Sequence, residues 1–311
     1  MKNKQLSGSI CALLANVIFG FSFLFSKVAL DFAHPLIILA VRFTVAFAVL
    51  NILWLVGIIK LDFKGKSKRK IILMAIAQPL LYFIFELYGI ENTSSAISGV
   101  IISLVPVAVL FLSTTFLKEK PSRSQVAFSL ISLAAITAIS ILSNNGAKST
   151  VIGILLLLAA VICAAVFNIL SRSEAKTYSP FERTYMMFLI GTIGFNIIAF
   201  LGLGENYTSE LIRAVSVPQF WGAIAYLSIL SSIAAFMLYN YSTSVISAVR
   251  SASFSNIITV VSVLAGILIL RETLSPAQLI CCVLIIIGVL GVNIRLMIIC
   301  KNNGQTDFIK W

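Results

Sequence analysis

Long apolar runs, separated by short polar connections, are the feature that most limits how this chain can fold. About 20 apolar residues cross the hydrocarbon core of a bilayer as a helix, and lipid admits only helices or closed barrels as spanning structures. The runs are continuous and do not alternate with polar residues, as the strands of a membrane barrel would. The pattern therefore predicts an all-α membrane protein with ten transmembrane helices. The predicted spans are 8–30, 36–59, 70–92, 95–117, 125–143, 151–171, 182–203, 218–242, 246–270 and 277–299.

The composition is typical of a membrane protein rather than a soluble one. The 311-residue chain is 59% hydrophobic and 11% charged, whereas soluble domains are about 45–50% apolar and about 25% charged. The net charge of +12 does not indicate a nucleic-acid-binding protein, because the basic residues lie between the apolar runs and form no basic face. The five cysteines lie in or at the end of apolar runs without a Cys-x-x-Cys spacing, so we interpret them as small buried side chains.

The distribution of basic residues predicts the topology. The connection between the second and third spans, KLDFKGKSKRK at 60–70, contains six basic residues. Since cytoplasmic loops are enriched in Lys and Arg, we place this connection inside, together with the basic connections at 118–123 and 172–183. Both termini then lie in the cytoplasm, and residues 301–311 form a short cytoplasmic tail. The sequence thus predicts a multi-pass protein of the inner or plasma membrane.

A weak internal repeat divides the chain into residues 1–146 and 147–300. The segment FLKEKPSRSQ after the fourth span resembles LILRETLSPAQ after the ninth. The registers of the repeat superpose Lys27 on Arg172, Pro35 on Pro180 and Tyr88 on Tyr241. Each half has five spans, an odd number, so the second copy enters the membrane inverted. Inverted repeats are typical of transporters that rock two similar units around a shared site near the midplane.

Short motifs along the chain carry a resemblance to a known family. The motifs are FGFSFLFSK at Phe19–Lys27, AVRF at Ala40–Phe43, LVPV at Leu104–Val107 and the paired LKE and LRE loops. In their order and spacing they resemble the EamA-type transporters of the drug/metabolite transporter superfamily over nearly the whole chain. The resemblance implies ten helices in two five-helix units, cytoplasmic termini, a central cavity between the halves, and secondary transport, often export, of small metabolites.

Three charged residues, Lys27, Arg42 and Glu86, lie inside apolar runs of the first half. The predicted topology places all three at a similar depth, in the outer half of the membrane. Intramembrane charges are rare, and they pair with one another or face a water-filled cavity. We therefore hypothesise that Glu86 pairs with Arg42 or Lys27 beside the cavity. The carboxylate could bind substrate or a proton, since desolvation favours its neutral form, or the pair could be structural and fix helix packing.

Further polar residues are candidates for the cavity lining. The second-half counterpart of Glu86 is Tyr239, which with Asn240 could contact a substrate or anchor its helix at the membrane interface. Four amides could line the cavity or join helices: Asn16, Gln78, Asn168 and Asn256. Pro79 and Pro106 fall in the middle of their spans, so we expect kinks there and regard both prolines as hinge candidates.

No motif indicates an enzyme or a cofactor. The chain has one histidine and lacks the zinc-binding H-E-x-x-H, the nucleophile elbow G-x-S-x-G and a glycine-rich dinucleotide loop. We therefore predict no catalytic residue, no metal site and no cofactor.

The sequence favours secondary transport of a small organic or drug-like solute, such as an amino acid or a related compound, by alternating access and in the export direction. The predicted partners are the solute and the lipid bilayer, with proton coupling and oligomeric state left open. Two alternatives stay open as well: an integral membrane enzyme acting on a lipid-linked substrate, and a membrane scaffold that transports nothing.

Overall fold

The structure, a computed structural model, describes residues 2–117, 127–128, 130–131, 134–135, 138, 150–246, 251, 254–271, 275–277 and 279–287. This part of the chain consists of helices and connections, without a strand. Its helices are α1 (Lys2–Leu30), α2 (Pro35–Leu55), α3 (Arg69–Glu91), α4 (Ser95–Ile102), α5 (Val105–Leu117), α6 (Val151–Glu174), α7 (Pro180–Leu203), α8 (Tyr207–Val215), α9 (Pro218–Val245) and α10 (Asn256–Leu268). These labels follow chain order and do not count membrane spans.

Seven helical segments of the described residues are long and apolar enough to cross a membrane. They are Gln5–Leu30, Pro35–Leu55, Arg69–Glu91, Ser95–Leu112, Val151–Glu174, Pro180–Val215 and Pro218–Val245. Their outward faces carry exposed leucine and isoleucine, such as Leu155, Ile162 and Leu201, which suit lipid and not water. The chain is therefore a multi-pass membrane protein. The fifth and tenth predicted spans lie largely outside the described residues, so the total of ten stays a prediction.

The third predicted span of each half, α3 in the first and α9 in the second, is irregular in its middle. In α3, Gln78 has non-helical backbone angles (φ −148°, ψ 116°), because the ring of Pro79 disfavours helical geometry in the residue before it. In α9, a π-helical stretch runs over Tyr226–Ala234. The fourth predicted span is divided into α4 and α5 by a turn at 103–104, just before Pro106. Both prolines thus lie at or beside helix irregularities, while their role as hinges stays a prediction.

Two predicted segments have a different structure. Residues 204–217, predicted as a connection, contain the short helix α8. The span predicted over 246–270 is not one helix, because Ile246 is extended (φ −111°, ψ 163°) and a turn at 254–255 precedes α10. Hydropathy missed the turn because it averages apolarity over a window. It missed α8 because this nine-residue helix is too short and too polar to register as a membrane span.

Helices of the first half pack against helices of the second half. Helix α1 packs most extensively along α9, and its counterpart α6 packs most extensively along α3. The second helices of the halves, α2 and α7, pack against each other, and α4 packs against α10. In the register predicted from the sequence, α6 is the counterpart of α1 and α9 is the counterpart of α3, so these two packing pairs correspond.

Two basic side chains bind the C-terminal ends of α3 and α9, where a positive charge stabilises the helix. Lys27 Nζ donates to the carbonyl oxygens of Ile90 (2.9 Å), Glu91 (3.4 Å) and Thr93 (2.8 Å). Arg172 Nη1 donates to the carbonyl oxygens of Thr243 (2.7 Å) and Ser244 (3.4 Å). In the predicted register that superposes Tyr88 on Tyr241, Ile90 corresponds to Thr243 and Glu91 corresponds to Ser244.

The basic connections 60–70 and 172–183 meet at one end of the helix bundle. The Glu182 carboxylate accepts hydrogen bonds from Lys66 Nζ (2.9 Å) and from the backbone N–H of Asp62 (2.9 Å). It also accepts the N–H of Ser179, which closes the first turn of α7. The two connections therefore lie on the same side of the bundle, as a topology with both loops on one face of the membrane requires.

Gly99 allows α4 to approach α10 closely. A Cβ atom built on Gly99 would lie 2.4 Å from the Cβ of Ser262, and small residues permit such approaches between membrane helices. We expect Gly99→Ala to lower the free energy of unfolding by about 1–3 kcal/mol, the usual cost of overpacking. Thermal unfolding of the purified protein in detergent measures this loss.

Gly222→Ala is the matched control, because a Cβ atom on this helical glycine would meet no atom within 4 Å. The control variant should keep its melting temperature or gain slightly, since alanine is a better helix former than glycine. If Gly99→Ala and Gly222→Ala melted at the same temperature, the close approach of α4 to α10 would not be tightly constrained.

Candidate solute-binding cavity

An internal cavity lies between the two halves of the bundle. The cavity and its opening together contain about 560 Å³ of space between atoms, part of which is open to solvent. The lining residues are Asn16, Phe19, Ser22, Phe23, Gln78, Tyr82, Phe83, Glu86, Ile102, Val105, Ala164, Phe167, Asn168, Phe236, Tyr239, Ser255 and Ile258. Both halves thus supply walls, and five of the predicted site residues are among them.

The lining is nearly symmetric in the registers predicted from the sequence. Fourteen of its 17 residues fall into seven pairs that match one residue from each half. The pairs are Phe19 with Ala164, Ser22 with Phe167, Phe23 with Asn168, Phe83 with Phe236, Glu86 with Tyr239, Ile102 with Ser255 and Val105 with Ile258. The three unmatched residues, Asn16, Gln78 and Tyr82, are polar and belong to the first half. The symmetric walls therefore carry an asymmetric set of polar groups.

Glu86 is the one carboxylate among the described residues that line the cavity. It is 4% exposed, and its Oε1 accepts a hydrogen bond from Tyr82 OH (2.7 Å), one helical turn earlier on α3. Within the part of the chain that the structure describes, Glu86 makes no ion pair, since the ion pairs found there involve other residues. Glu86 and Arg42 attract each other electrostatically without a direct contact, so their pairing, and that of Glu86 with Lys27, stays a prediction.

Arg42 is 2% exposed and forms its hydrogen bonds with α9. Its Nε donates to Ser232 Oγ (2.9 Å), its Nη2 donates to Ser231 Oγ (3.2 Å), and its guanidinium carbon lies 4.3 Å from the ring centroid of Phe83. Packing of α2 along α9 brings the serines within reach of the guanidinium. Neither Arg42 nor Lys27, whose Nζ binds the end of α3, is among the lining residues.

Two of the three amide side chains that line the cavity form hydrogen bonds within the described structure. Tyr239 OH donates to Asn168 Oδ1, and the amide nitrogens of Asn168 and Asn16 donate to carbonyls of their own helices (2.8 and 2.6 Å). Gln78, at the irregular point of α3, receives no side-chain hydrogen bond from the described residues and is 8% exposed. Its amide can therefore donate to a solute and accept from it.

One other predicted site residue, Asn240, lies outside the cavity. Asn240 is fully buried outside the lining, where its Nδ2 donates to Thr184 Oγ1 (3.0 Å) and its Oδ1 accepts from Ser171 Oγ (3.1 Å). The side chain of Asn256 lies outside the described residues.

Sequence reasoning missed Arg183, which is fully buried where α6, α7 and α9 meet. Its Nη1 donates to Ser171 O and Ser171 Oγ (both 2.8 Å) and to Thr243 Oγ1 (3.2 Å). Its Nη2 donates to Asn240 O and Ser244 Oγ. These five hydrogen bonds cross between α7 and its two neighbours, so Arg183 joins three helices.

The predicted span 182–203 and the predicted connection 172–183 both included Arg183, and a further signal in the sequence assigns it to the helix. Ser179 and Glu182 form a capping box, and Pro180 occupies the first helical position between them. This S-P-x-E pattern indicates a helix start at 180. Counting Arg183 among the charges of a connection was therefore wrong.

The donor set of the cavity suits an organic solute. Within the described ranges, no group of three or more His, Cys, Asp or Glu side chains could hold a metal ion. The lining combines aromatic rings with amides, hydroxyls and one carboxylate, and none of its described residues is Lys, Arg or His. Apolar walls with a few convergent polar groups are typical of small-molecule sites.

Comparison with known proteins relates the whole chain to membrane carriers. The sequence model of the EamA-like transporter family matches residues 6–141 and 151–294. The "uncharacterized transporter YcxC" of Bacillus subtilis (strain 168) is 35% identical over 298 residues, covering 95% of this chain and 96% of that protein. An "uncharacterized transporter" of Archaeoglobus fulgidus is 26% identical, covering 86% and 91%. A protein of known crystal structure shares the fold, with a TM-score of 0.65 and 17% identity over 94% of this chain and 98% of that chain.

Proposed function

This chain belongs to the EamA-like transporter family, as its motifs predicted, and we propose that it is a secondary transporter of a small organic solute. The solute crosses the cytoplasmic membrane by alternating access, in the export direction. The proposal includes ten transmembrane helices in two inverted five-helix units, residues 1–146 and 147–300, with both termini in the cytoplasm.

The cavity between the halves is the observation that carries this proposal. It is enclosed by matched residues of both halves and contains the polar residues Glu86, Gln78 and Tyr239. In carriers built from inverted repeats, the substrate site lies at the interface of the repeats near the midplane, and the repeats move around it. A cavity at this place is where such a carrier holds its solute.

Three independent features support the two-unit architecture. The family matches two consecutive stretches of similar length, 6–141 and 151–294. Helix α1 packs along α9, and α6 packs along α3. Lys27 and Arg172 donate to carbonyl oxygens at corresponding positions near the ends of α3 and α9. The lining residues match in seven pairs across the two predicted registers.

Polar contacts at one end of the bundle suit a reversible closure. Lys66 bridges to Glu182 across the connection 60–70 and the start of α7, and the Lys66 side chain is 24% exposed. Water can reach Lys66 and replace its partner. The Glu182 side chain is 4% exposed and keeps a hydrogen bond from the N–H of Ser179 on its own helix when the contact breaks. In the proposed cycle this end opens while the opposite end closes.

Flux into proteoliposomes tests the proposal. Purified protein is reconstituted, and uptake is measured for a panel of labelled amino acids, amines, organic acids and nucleosides, with and without an imposed pH gradient. We expect at least one solute to enter faster than into protein-free liposomes, with saturation and with exchange against unlabelled solute inside. Saturable exchange is specific to a carrier, because a scaffold or an enzyme creates no pathway for the intact solute.

The result that would overturn the proposal is a panel in which every solute enters at the protein-free rate, although the reconstituted protein is folded and correctly inserted. Modification of a lipid-linked compound without any flux would favour the enzyme instead.

A further inference from the structure

We infer that the cavity selects monovalent organic cations that carry an aromatic or similarly apolar body, such as ring-bearing amines. The inference rests on the proposed function, since it names the class of solute that the transporter binds. It combines three observations on the same cavity: one carboxylate, a wall of aromatic rings, and no basic side chain among the described lining residues.

The carboxylate of Glu86 has room for a positive partner. Its Oε1 accepts a hydrogen bond from Tyr82, and the described residues give its second oxygen no hydrogen bond. The residue is 96% buried by the surrounding helices, so water cannot fully solvate it. A charge of this kind is stabilised when an opposite charge enters the cavity, because the interaction is stronger in a low-dielectric interior than in water.

The aromatic wall attracts the same kind of ligand. Seven lining residues carry rings: Phe19, Phe23, Tyr82, Phe83, Phe167, Phe236 and Tyr239. Several of them contact one another, with Phe19 5.1 Å from Phe236 and 6.2 Å from Tyr239 between ring centroids. Ring faces attract cations, and ring edges and faces pack against a second aromatic group. The wall therefore favours both the charge and the apolar body of an aromatic amine.

A solute with a carboxylate of its own meets no matching charge. Arg42 attracts Glu86 from outside the lining. Its guanidinium donates to Ser231 and Ser232 on α9, so it does not extend into the cavity as a binding group. An entering carboxylate would lose its hydration and would approach Glu86, which repels it. An amino acid, one of the solutes suggested by the sequence, is therefore a poorer fit than the amine that lacks the carboxylate.

A series of ligands with one ring and different charges tests the inference. The probes are benzyltrimethylammonium, whose charge is permanent, phenylalanine, which is a zwitterion, and phenylacetate, which is an anion. Binding to the purified protein in detergent is measured by calorimetric titration. We expect benzyltrimethylammonium to bind about tenfold more tightly, or better, than either of the other two, since truncating or mismatching a buried charge costs at least this much.

Variants of α3 assign the preference to one carboxylate. Glu86→Gln should weaken binding of benzyltrimethylammonium about tenfold or more, while the Gln oxygen can still accept the Tyr82 hydrogen bond and keep the fold. Glu91→Gln is the matched control, because Glu91 lies on the same helix with an exposed side chain. Its affinity for the cation should equal that of the wild type.

The inference is overturned if phenylalanine or phenylacetate binds as tightly as the cation, if Glu86→Gln binds the cation like the wild type, or if the cation does not bind at all. These outcomes are distinct from failure of the proposed function. If the protein moves another solute in proteoliposomes but does not bind the cation, the proposed function stands and the inferred specificity fails. If the protein binds the cation but moves no solute, the proposed function fails.

Discussion

The Arg183→Leu variant is expected to lose most of its folded population under conditions in which the wild-type protein stays folded. Arg183 is fully buried and donates five hydrogen bonds to α6 and α9. A hydrogen bond to a charged group contributes about 1.5–3 kcal/mol. Loss of only two such bonds would cost about 3 kcal/mol or more, a large share of the stability of a typical domain.

An opposing effect has to be weighed. Removing a buried charge that lacks an opposite partner can stabilise a protein when well-packed apolar groups replace the whole polar cluster. Here the acceptors Ser171, Asn240, Thr243 and Ser244 remain after the substitution and lose their shared donor. The Asn240 carbonyl keeps the hydrogen bonds that Thr243 and Ser244 donate to it. The hydroxyl oxygens of the cluster lose the guanidinium as donor, and we expect this cost to exceed the gain from removing the charge.

The measurement is the yield of monodisperse protein after detergent extraction, together with its melting temperature. Arg213→Leu is the control, because the Arg213 side chain is 65% exposed and forms a single surface ion pair with Glu210, an interaction that contributes about 0–1 kcal/mol. Arg183→Lys should fall between the two, since it keeps the charge but loses the forked geometry. An Arg183→Leu variant as stable as Arg213→Leu would show that the cluster does not hold α6, α7 and α9 together.

Glu86→Gln is expected to lower transport about tenfold or more for the solute found in the flux screen, with the amount and melting temperature of the protein unchanged. The glutamine has nearly the same shape, and its amide oxygen can accept the hydrogen bond from Tyr82. The substitution thus removes a negative charge from the cavity and little else. A structural role would reduce the folded protein, whereas a binding role reduces flux per folded molecule.

The comparison is made with Glu91→Gln, whose exposed side chain lies near the end of the same helix. Both variants are reconstituted at equal density, and initial rates are measured over a range of solute concentrations. Full transport by Glu86→Gln would exclude the carboxylate from solute binding and from coupling, and would leave it as a residue that only packs α3.

Much of the fold could be predicted because each membrane segment must be apolar, long enough to cross the bilayer and hydrogen-bonded within itself. The starts of α2, α3 and α6 differ by one residue or less from the predicted spans at 36, 70 and 151. The errors fall where turns interrupt apolar sequence, at 103–104 in the fourth predicted span and at 254–255 in the ninth. Hydropathy cannot detect such turns, since the residues that form them are as compatible with lipid as their neighbours.

The candidate site was predicted in part. Glu86, Tyr239, Asn16, Gln78 and Asn168 line the cavity, in keeping with the rule that polar groups inside the membrane avoid lipid. The same rule does not say which partner a polar group finds. Lys27, Arg42 and Asn240 also avoid lipid, but their partners are backbone carbonyls, serines and a threonine of neighbouring helices.

By itself, the sequence determined that the chain crosses the membrane and where most of its helices begin, and it predicted which residues of the two halves correspond. These properties depend on the transfer of each segment from water to lipid and on short-range signals such as caps and prolines. The tertiary structure alone decided that Glu86 faces the cavity while Arg42 binds α9, and that Arg183 joins three helices. These contacts link residues up to 190 positions apart, and they depend on which helix faces pack together, a property that no single segment contains.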